Sequence, residues 1–366
     1  MTDGLAIVLG TRPEIIKLAP LIQRCEAADI PFVVIHTGQH YSDSLDAVFF
    51  DQLDLPEPDY HLGVGSGPHG AQTGKMLTEI ERILTDRSPH GVVVQGDTNS
   101  VLAGALASSK LDVQLGHVEA GLRSFDREMP EEINRVVTDH VADRLYAPTN
   151  QSKQYLLAEG IPDRRILVTG NTIVDSLRRN RELAREKSNV LEELAVDPGE
   201  FFLLTAHRPK NVDDETRFSS LLGAVAEAAR DHDVDVIYPI HPRGRERLRA
   251  FDIEVPKRIR VIEPLEYLDF IRLEATARLI LTDSGGVQEE ACVLGVPCVT
   301  LRDSTERPET IEVGANTLAH PDESTVRRNV DGMLSLDADW RNPFGDGRAS
   351  QRILEDLRSD VETVHA

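Results

Sequence analysis

The sequence predicts an α/β protein of two Rossmann-like domains facing across a cleft, with a C-terminal helix returning to the first domain. Three observations carry that expectation. At 366 residues the chain exceeds what one hydrophobic core normally spans. Short apolar runs alternate with helix-length amphipathic stretches from end to end, which is how parallel sheets covered by helices read. That alternation restarts after a seam near Gly170-Asn171-Thr172.

In the first domain, residues 1–170, the apolar runs 5–9, 32–36, 91–94 and 113–117 read as buried parallel strands. Helix patterns at 13–28, 70–86 and 101–111 lie between them. A fifth strand, 144–147, follows a helix containing 131–141, and 167–169 adds a sixth. In the second domain, 171–345, an amphipathic helix at 178–195 precedes strand 201–205 and helix 215–231. Strands 235–239, 259–262, 279–282 and 298–301 follow, separated by helical segments. The last segment, 346–366, carries helix 350–364 after Pro343-Phe344-Gly345-Asp346-Gly347, a turn cluster that lets the chain change direction.

Composition narrows the function classes. The 62 acidic residues against 40 basic ones leave a formal net charge of -22, which repels nucleic acid and anionic lipid as partners. No apolar run approaches the roughly 18 residues of a membrane span, and Met1-Thr2-Asp3-Gly4 lacks the basic region of a signal peptide; a cytoplasmic location is the expectation. Of the 40 basic residues, 33 are arginine and seven lysine. An acidic, lysine-poor surface suits a salt-rich cytoplasm, where dense counter-ions screen self-repulsion. A halophilic source is the resulting hypothesis, and a chain fully folded and active in dilute buffer would contradict it. Cys25, Cys292 and Cys298 are odd in number and lack metal-ligand spacing, so buried thiols are expected rather than a disulfide or a metal site.

Polar clusters follow almost every strand of the first half. After the first comes Gly10-Thr11-Arg12-Pro13-Glu14-Ile15-Ile16-Lys17, with glycine for the tight turn and proline at the first helical position. Arg12 and Lys17 place positive charge at a helix N-terminus, where the macrodipole disfavours it; either an anion binds there or the two meet nearby carboxylates. The segment is not a GxGxxG dinucleotide fingerprint. Gln95-Gly96-Asp97-Thr98, His117-Val118-Glu119 and Met129-Pro130-Glu131 end later elements. Asp97, Glu119 and Glu131 can thus converge at one sheet edge, as acid–base work on an anionic substrate requires. Asp97 can instead cap the following helix, and Glu131 can form a plain i,i+4 pair with Arg135.

The second half supplies a phosphate site. The strand at 279–282 runs into Asp283-Ser284-Gly285-Gly286 and directly into a helix, whose opening N–H groups suit a diphosphate. Glu290, one turn on, suits a ribose diol, and Arg307 adds a cation for the phosphates; the alternative is a plain turn. His207, in Thr205-Ala206-His207-Arg208-Pro209, follows a strand into a loop and is either a site residue or structural.

HVEAGLR, MPEEINR, LTDSGGVQEEA and RDSTERPE, together with the opening GTRPE, resemble the non-hydrolysing UDP-N-acetylglucosamine 2-epimerases over essentially the whole chain. The resemblance implies the two-domain fold shared with GT-B glycosyltransferases, a UDP-sugar substrate, no cofactor and a homodimer. It places Arg12, Lys17, Asp97, Glu119 and His207 in the active site and gives Glu131 and Arg135 a part in the chemistry. Phe270, Ser284, Gly285, Gly286, Glu290 and Arg307 would hold the nucleotide. Gln39, His40 and His241 would form an allosteric site for a second sugar nucleotide. The chain departs from bacterial members at Leu265, at Pro209-Lys210-Asn211, and at Tyr41-Ser42 after the Gln39-His40 pair.

The implied chemistry is elimination of UDP through a 2-acetamidoglucal and re-addition after protonation of the opposite face. Rival readings are a GT-B glycosyltransferase, a hydrolysing epimerase, and the same reaction on another UDP-2-acetamido sugar such as UDP-2,3-diacetamido glucuronate.

Overall fold

The computed structural model describes residues 4–39 and 43–364. The strands of its first half are β1 (Leu5–Leu9), β2 (Phe32–His36), β3 (Tyr60–His61), β4 (Gly91–Gln95), β5 (Gln114–Val118), β6 (Arg144–Ala147) and β7 (Ile166–Val168). Those of the second are β8 (Phe201–Thr205), β9 (Asp235–Pro239), β10 (Ile259–Ile262), β11 (Leu279–Thr282), β12 (Cys298–Thr300) and β13 (Asn316–Leu318). They make two sheets, ordered β3-β2-β1-β4-β5-β6-β7 and β10-β9-β8-β11-β12-β13, and every pairing is parallel. The α/β class and the doubly wound order are those the apolar runs predict.

Each sheet reverses its winding once, between β1 and β4 and between β8 and β11. Loops leaving two such strands diverge, so a ligand site opens at their carboxyl ends. The central strands are apolar throughout because helices cover both faces; all five residues of β1 are buried, as are the first four of β8.

The chain divides into two compact units, one running to Ser176 and resuming at Phe344, the other Leu177–Pro343. The first boundary falls inside a continuous helix, Thr172–Lys187, where no turn residue marks it. The final helix, Ala349–Val364, belongs to the first unit. The Asp175 carboxylate caps it from a distance, accepting from the N–H groups of Ala349 (3.1 Å) and Ser350 (3.0 Å) and so satisfying donors that a helix start leaves open. Arg24 Nε donates to Ser350 Oγ at 2.8 Å, and Asp356 pairs with Arg144 and Tyr146.

Three local expectations are revised. The helix expected at 178–195 is two, Thr172–Lys187 and Val190–Leu194. Between them Ser188 Oγ donates to Asp269 at 2.6 Å and accepts from the Val190 N–H, a local alternative to helical bonding. β3 and β13 were not expected: two and three residues leave no apolar run to read. The strand expected at 167–169 lies one residue earlier, at Ile166–Val168.

Candidate active site

The loops leaving β1, β4 and β5 bring the first group of side chains together. At the start of helix Arg12–Ala27 the Glu14 side chain reaches back to the Thr11 N–H. Glu14 is buried and accepts from the Gly10 N–H (2.5 Å), the Thr11 N–H (3.1 Å) and Thr98 Oγ1 (2.5 Å), tying the β1 loop to the β4 loop. Burial pushes its carboxyl up to about 7, against the lowering effect of those bonds. Gly10 is required: a Cβ there would lie 2.0 Å from Thr37 Oγ1 and 2.2 Å from Ser100 Oγ.

Glu119 is the hub. Lys17 Nζ donates to its two oxygens at 2.7 and 2.8 Å, Asn171 Nδ2 to Oε1 at 3.1 Å, and Gln95 Nε2 to Oε2. Its backbone lies in the left-handed region, φ 70°, a conformation costing roughly 1–2 kcal/mol in a non-glycine residue. The N–H groups of Glu119 and Ala120 both reach Tyr146 O at 3.1 Å and hold it there. Lys17 therefore meets a carboxylate of the protein itself. Arg12 is exposed, with its guanidinium 5.3 Å over the Phe49 ring.

Asp97 does not cap the helix after β4. Thr98 does, accepting from the Val101 N–H, so the Asp97 carboxylate is left to pair with Arg135 Nη2. Arg135 also donates to Glu132 at 2.9 Å, so the expected Glu131–Arg135 pair is replaced by an i,i+3 pair one residue on. Glu131 is exposed on helix Pro130–Val141, whereas Glu132 is buried. Burial raises the Glu132 carboxyl, but bonds from the Ser124 N–H and hydroxyl, the charge of Arg135 and the Phe125 N–H outweigh it and hold the group below the usual range. Asn134 Nδ2 donates to Asp97 O at 2.9 Å.

Under both acids lies a pair that residue spacing did not reveal. His117, fully buried on β5, meets Asp139 Oδ1 at 2.7 Å and Gly96 O at 2.9 Å. Asp139 also takes Arg123 at 2.7 Å and the Gly121 N–H at 3.2 Å. One buried carboxylate thus braces the turn before Asp97 and the loop after Glu119. The signal in the sequence was an acid on the inward face of the 131–141 helix pattern.

In the second unit the β8 and β11 loops converge on Asp283. This buried carboxylate accepts from the backbone N–H groups of His207 and Arg208 (3.0–3.1 Å) and from Asn211 Nδ2 (3.1 Å), and lies 3.0 Å from His207 Nδ1. Burial raises its carboxyl, yet His207 and the other donors hold it below the usual range. The His207 ring is 43% exposed, oriented by Asp283 with its other edge open. His241 stands 6.1 Å away, ring to ring; its Nδ1 accepts from the Arg243 N–H, and burial, then His207 and Arg243, lower its basicity.

Helix Gly285–Leu294 is capped by Ser284, so Gly285 and Gly286 supply first-turn N–H groups without side chains in front of them. Arg307 Nε lies 2.7 Å from Glu289. Phe270 and Leu265 pack against the core beneath this helix. Gln39 belongs to the first unit, where its side chain accepts from Ser100 Oγ at 2.8 Å. His40, the other half of the expected allosteric pair, lies outside the described residues. No helix among the described residues is long and apolar enough to cross a membrane.

A family model described as UDP-N-acetylglucosamine 2-epimerase matches residues 23–358. The UDP-N-acetylglucosamine 2-epimerase of Methanocaldococcus jannaschii is 52% identical over 360 residues, 96% of this chain and 98% of that one. A crystal structure of the M. jannaschii enzyme in complex with UDP-GlcNAc and UDP matches with a TM-score of 0.84, covering 97% of this chain and 99% of that one. The UDP-2,3-diacetamido-2,3-dideoxy-D-glucuronate 2-epimerase of Pseudomonas aeruginosa is 40% identical over 354 residues, 96% of this chain and 98% of that one.

Proposed function

The chain belongs to the UDP-N-acetylglucosamine 2-epimerase family, isomerases of the non-hydrolysing type, and from that premise we propose that it interconverts UDP-N-acetylglucosamine and UDP-N-acetylmannosamine. The observation that carries the choice of substrate is the 52% identity to the M. jannaschii enzyme over nearly the whole of both chains. The diacetamido glucuronate enzyme, at 40%, is the second reading.

The residues suit an elimination. The sugar C2 hydrogen is barely acidic, and inversion by deprotonation alone would leave an unsupported carbanion. Breaking the C2–H and C1–O bonds together sends the proton to a carboxylate and the electron pair out with UDP, leaving a 2-acetamidoglucal. Protonation of the opposite face of C2, with UDP returning to C1, gives the manno epimer. Two faces call for at least two acid–base groups, a role we assign to Asp97, Glu119 and Glu131, with Arg135 balancing Asp97. The departing diphosphate needs fixed positive ends of dipoles and cations. We assign that to the helix start at Gly285 and Gly286 with Ser284, and to Arg12, Lys17, His207 and Arg307. Phe270 takes the base and Glu290 the ribose.

Proton NMR of UDP-N-acetylglucosamine with the protein in deuterated, high-salt buffer tests this. The manno epimer carrying deuterium at C2, with the UDP bond intact, is the expected result. Free N-acetylmannosamine plus UDP would make the enzyme hydrolysing. Turnover only of UDP-2,3-diacetamido glucuronate would favour the second reading, and no exchange with either sugar would refute the assignment.

A further inference from the structure

Glu274 is a carboxyl where the fold has no use for one. It lies on helix Tyr267–Thr276 and is 0% exposed, beside an apolar cluster that includes Leu273, Ala277, Ile280, Val287 and Cys298. Neither of its oxygens meets an N–H or O–H donor among the described residues. The polar group it does meet, through a hydrogen bond, is the carboxyl of Glu290. The other ionisable groups that sense it are the Tyr267 hydroxyl and the Cys298 thiol, both acids.

An ionised carboxylate buried without donor or cation costs several kcal/mol, and two bonded carboxyls must share a proton. The proton belongs on the more deeply buried member. Burial first, then the charge of Glu290, push Glu274 well above the usual carboxylate range. With Glu274 as donor, the lack of a donor to its oxygens and its bond to Glu290 are one fact: the pair is joined by a hydrogen bond that only an acid can supply.

We propose that Glu274 is a positioning residue for nucleotide recognition: as a neutral acid it donates to Glu290 and orients that carboxylate to accept the two hydroxyls of a ribose diol. The proposal rests on the assignment of Glu290 to the ribose made above. Glu290 lies about one turn into the helix that starts at Gly285 and Gly286, so a fixed carboxylate there sits at a set distance from the N–H groups assigned to the diphosphate. A carboxylate free to rotate would recognise the diol at greater entropic cost.

Calorimetric titration with UDP and 2′-deoxy-UDP tests it. Wild-type protein should prefer UDP by about tenfold, the scale of a hydrogen bond to a charged group, and Glu290→Ala should erase the preference. Glu274→Gln, whose amide still donates, should keep it. Glu274→Leu should bring it to within about twofold of none, without loss of thermal stability, since an apolar residue replaces a buried acid. A folded Glu274→Leu with full preference, or a Glu274→Gln without it, would overturn the proposal. A wild type that does not discriminate would instead overturn the ribose assignment. Should Glu274→Leu fail to fold, infrared difference spectra of wild type against Glu274→Gln decide. The carbonyl stretch of a buried neutral acid is expected at neutral pH, and its absence would contradict the proposal.

Discussion

Glu14, Asp97 and Glu119 gather at one sheet edge of the first unit, answered there mostly by side chains: Thr98, Arg135, Lys17, Gln95 and Asn171. At the corresponding edge of the second unit the buried carboxylate Asp283 is answered as much by backbone, the N–H groups of His207 and Arg208, as by the side chains of Asn211 and His207. Beside it a helix begins with two glycines. The same fold thus carries two kinds of electrostatics. Asp97 and Glu119, proposed to exchange protons, are side chains whose charge can change, each set against side-chain partners. The groups proposed for the diphosphate include the N–H dipoles of a helix start, whose charge cannot change and which need no reorganisation when the ligand leaves and returns, beside the cations Arg12, Lys17, His207 and Arg307. That division predicts that pH and conservative side-chain changes act chiefly through the first unit.

The largest stability effect is expected at Glu14. Burial raises its carboxyl from 4.5 to about 7, so the folded state holds the proton more tightly than the unfolded chain. Its contribution to stability is then full below pH 4.5 and is lost as pH rises through 7, a change of about 3 kcal/mol. Urea midpoints measured from pH 5 to 8 should fall more steeply for wild type than for Glu14→Gln. Parallel curves would mean that the hydrogen bonds, not burial, govern this group.

Glycine substitutions sharpen the same contrast. Gly10→Ala would drive a methyl into Thr37 and Ser100 and should cost about 2 kcal/mol by overpacking, read as a lower thermal midpoint. Gly286→Ala meets only Ser284 Oγ, at 3.9 Å; it should fold as wild type but bind UDP more weakly, because the methyl stands before the helix N–H groups. An equal loss of stability in both would erase the distinction. The smallest effect is expected for His207→Asn: about a tenfold fall in kcat, since the helix start and the cations remain. Unchanged kinetics would leave His207 only a partner of Asp283.

Much of this was legible in the sequence because buried parallel strands are continuous apolar runs. The runs at β1, β8 and β11 end at the loops that carry the site. β3 and β13 escaped because two or three residues have no periodicity. At the site, Lys17, Asp97 and Glu119 could be read from their places after strands. Pairing could not: adjacent glutamates look alike in sequence, and only helix phase sends Glu132 inward to Arg135 and leaves Glu131 outside. Asn171, noted only as a seam residue, turns out to bond Glu119, a contact from a residue 52 positions away. Such supports are set by tertiary packing rather than by local pattern.

The central claim is that proton transfer and nucleotide binding reside in different groups. Asp97→Asn tests it most directly, with the rate of C2 hydrogen exchange and the affinity for UDP measured on the same sample. Exchange should fall by about 10³, within the range for loss of an acid–base group, while the UDP dissociation constant stays within about twofold of wild type. Exchange at the wild-type rate, or loss of UDP binding in step with exchange, would contradict the division.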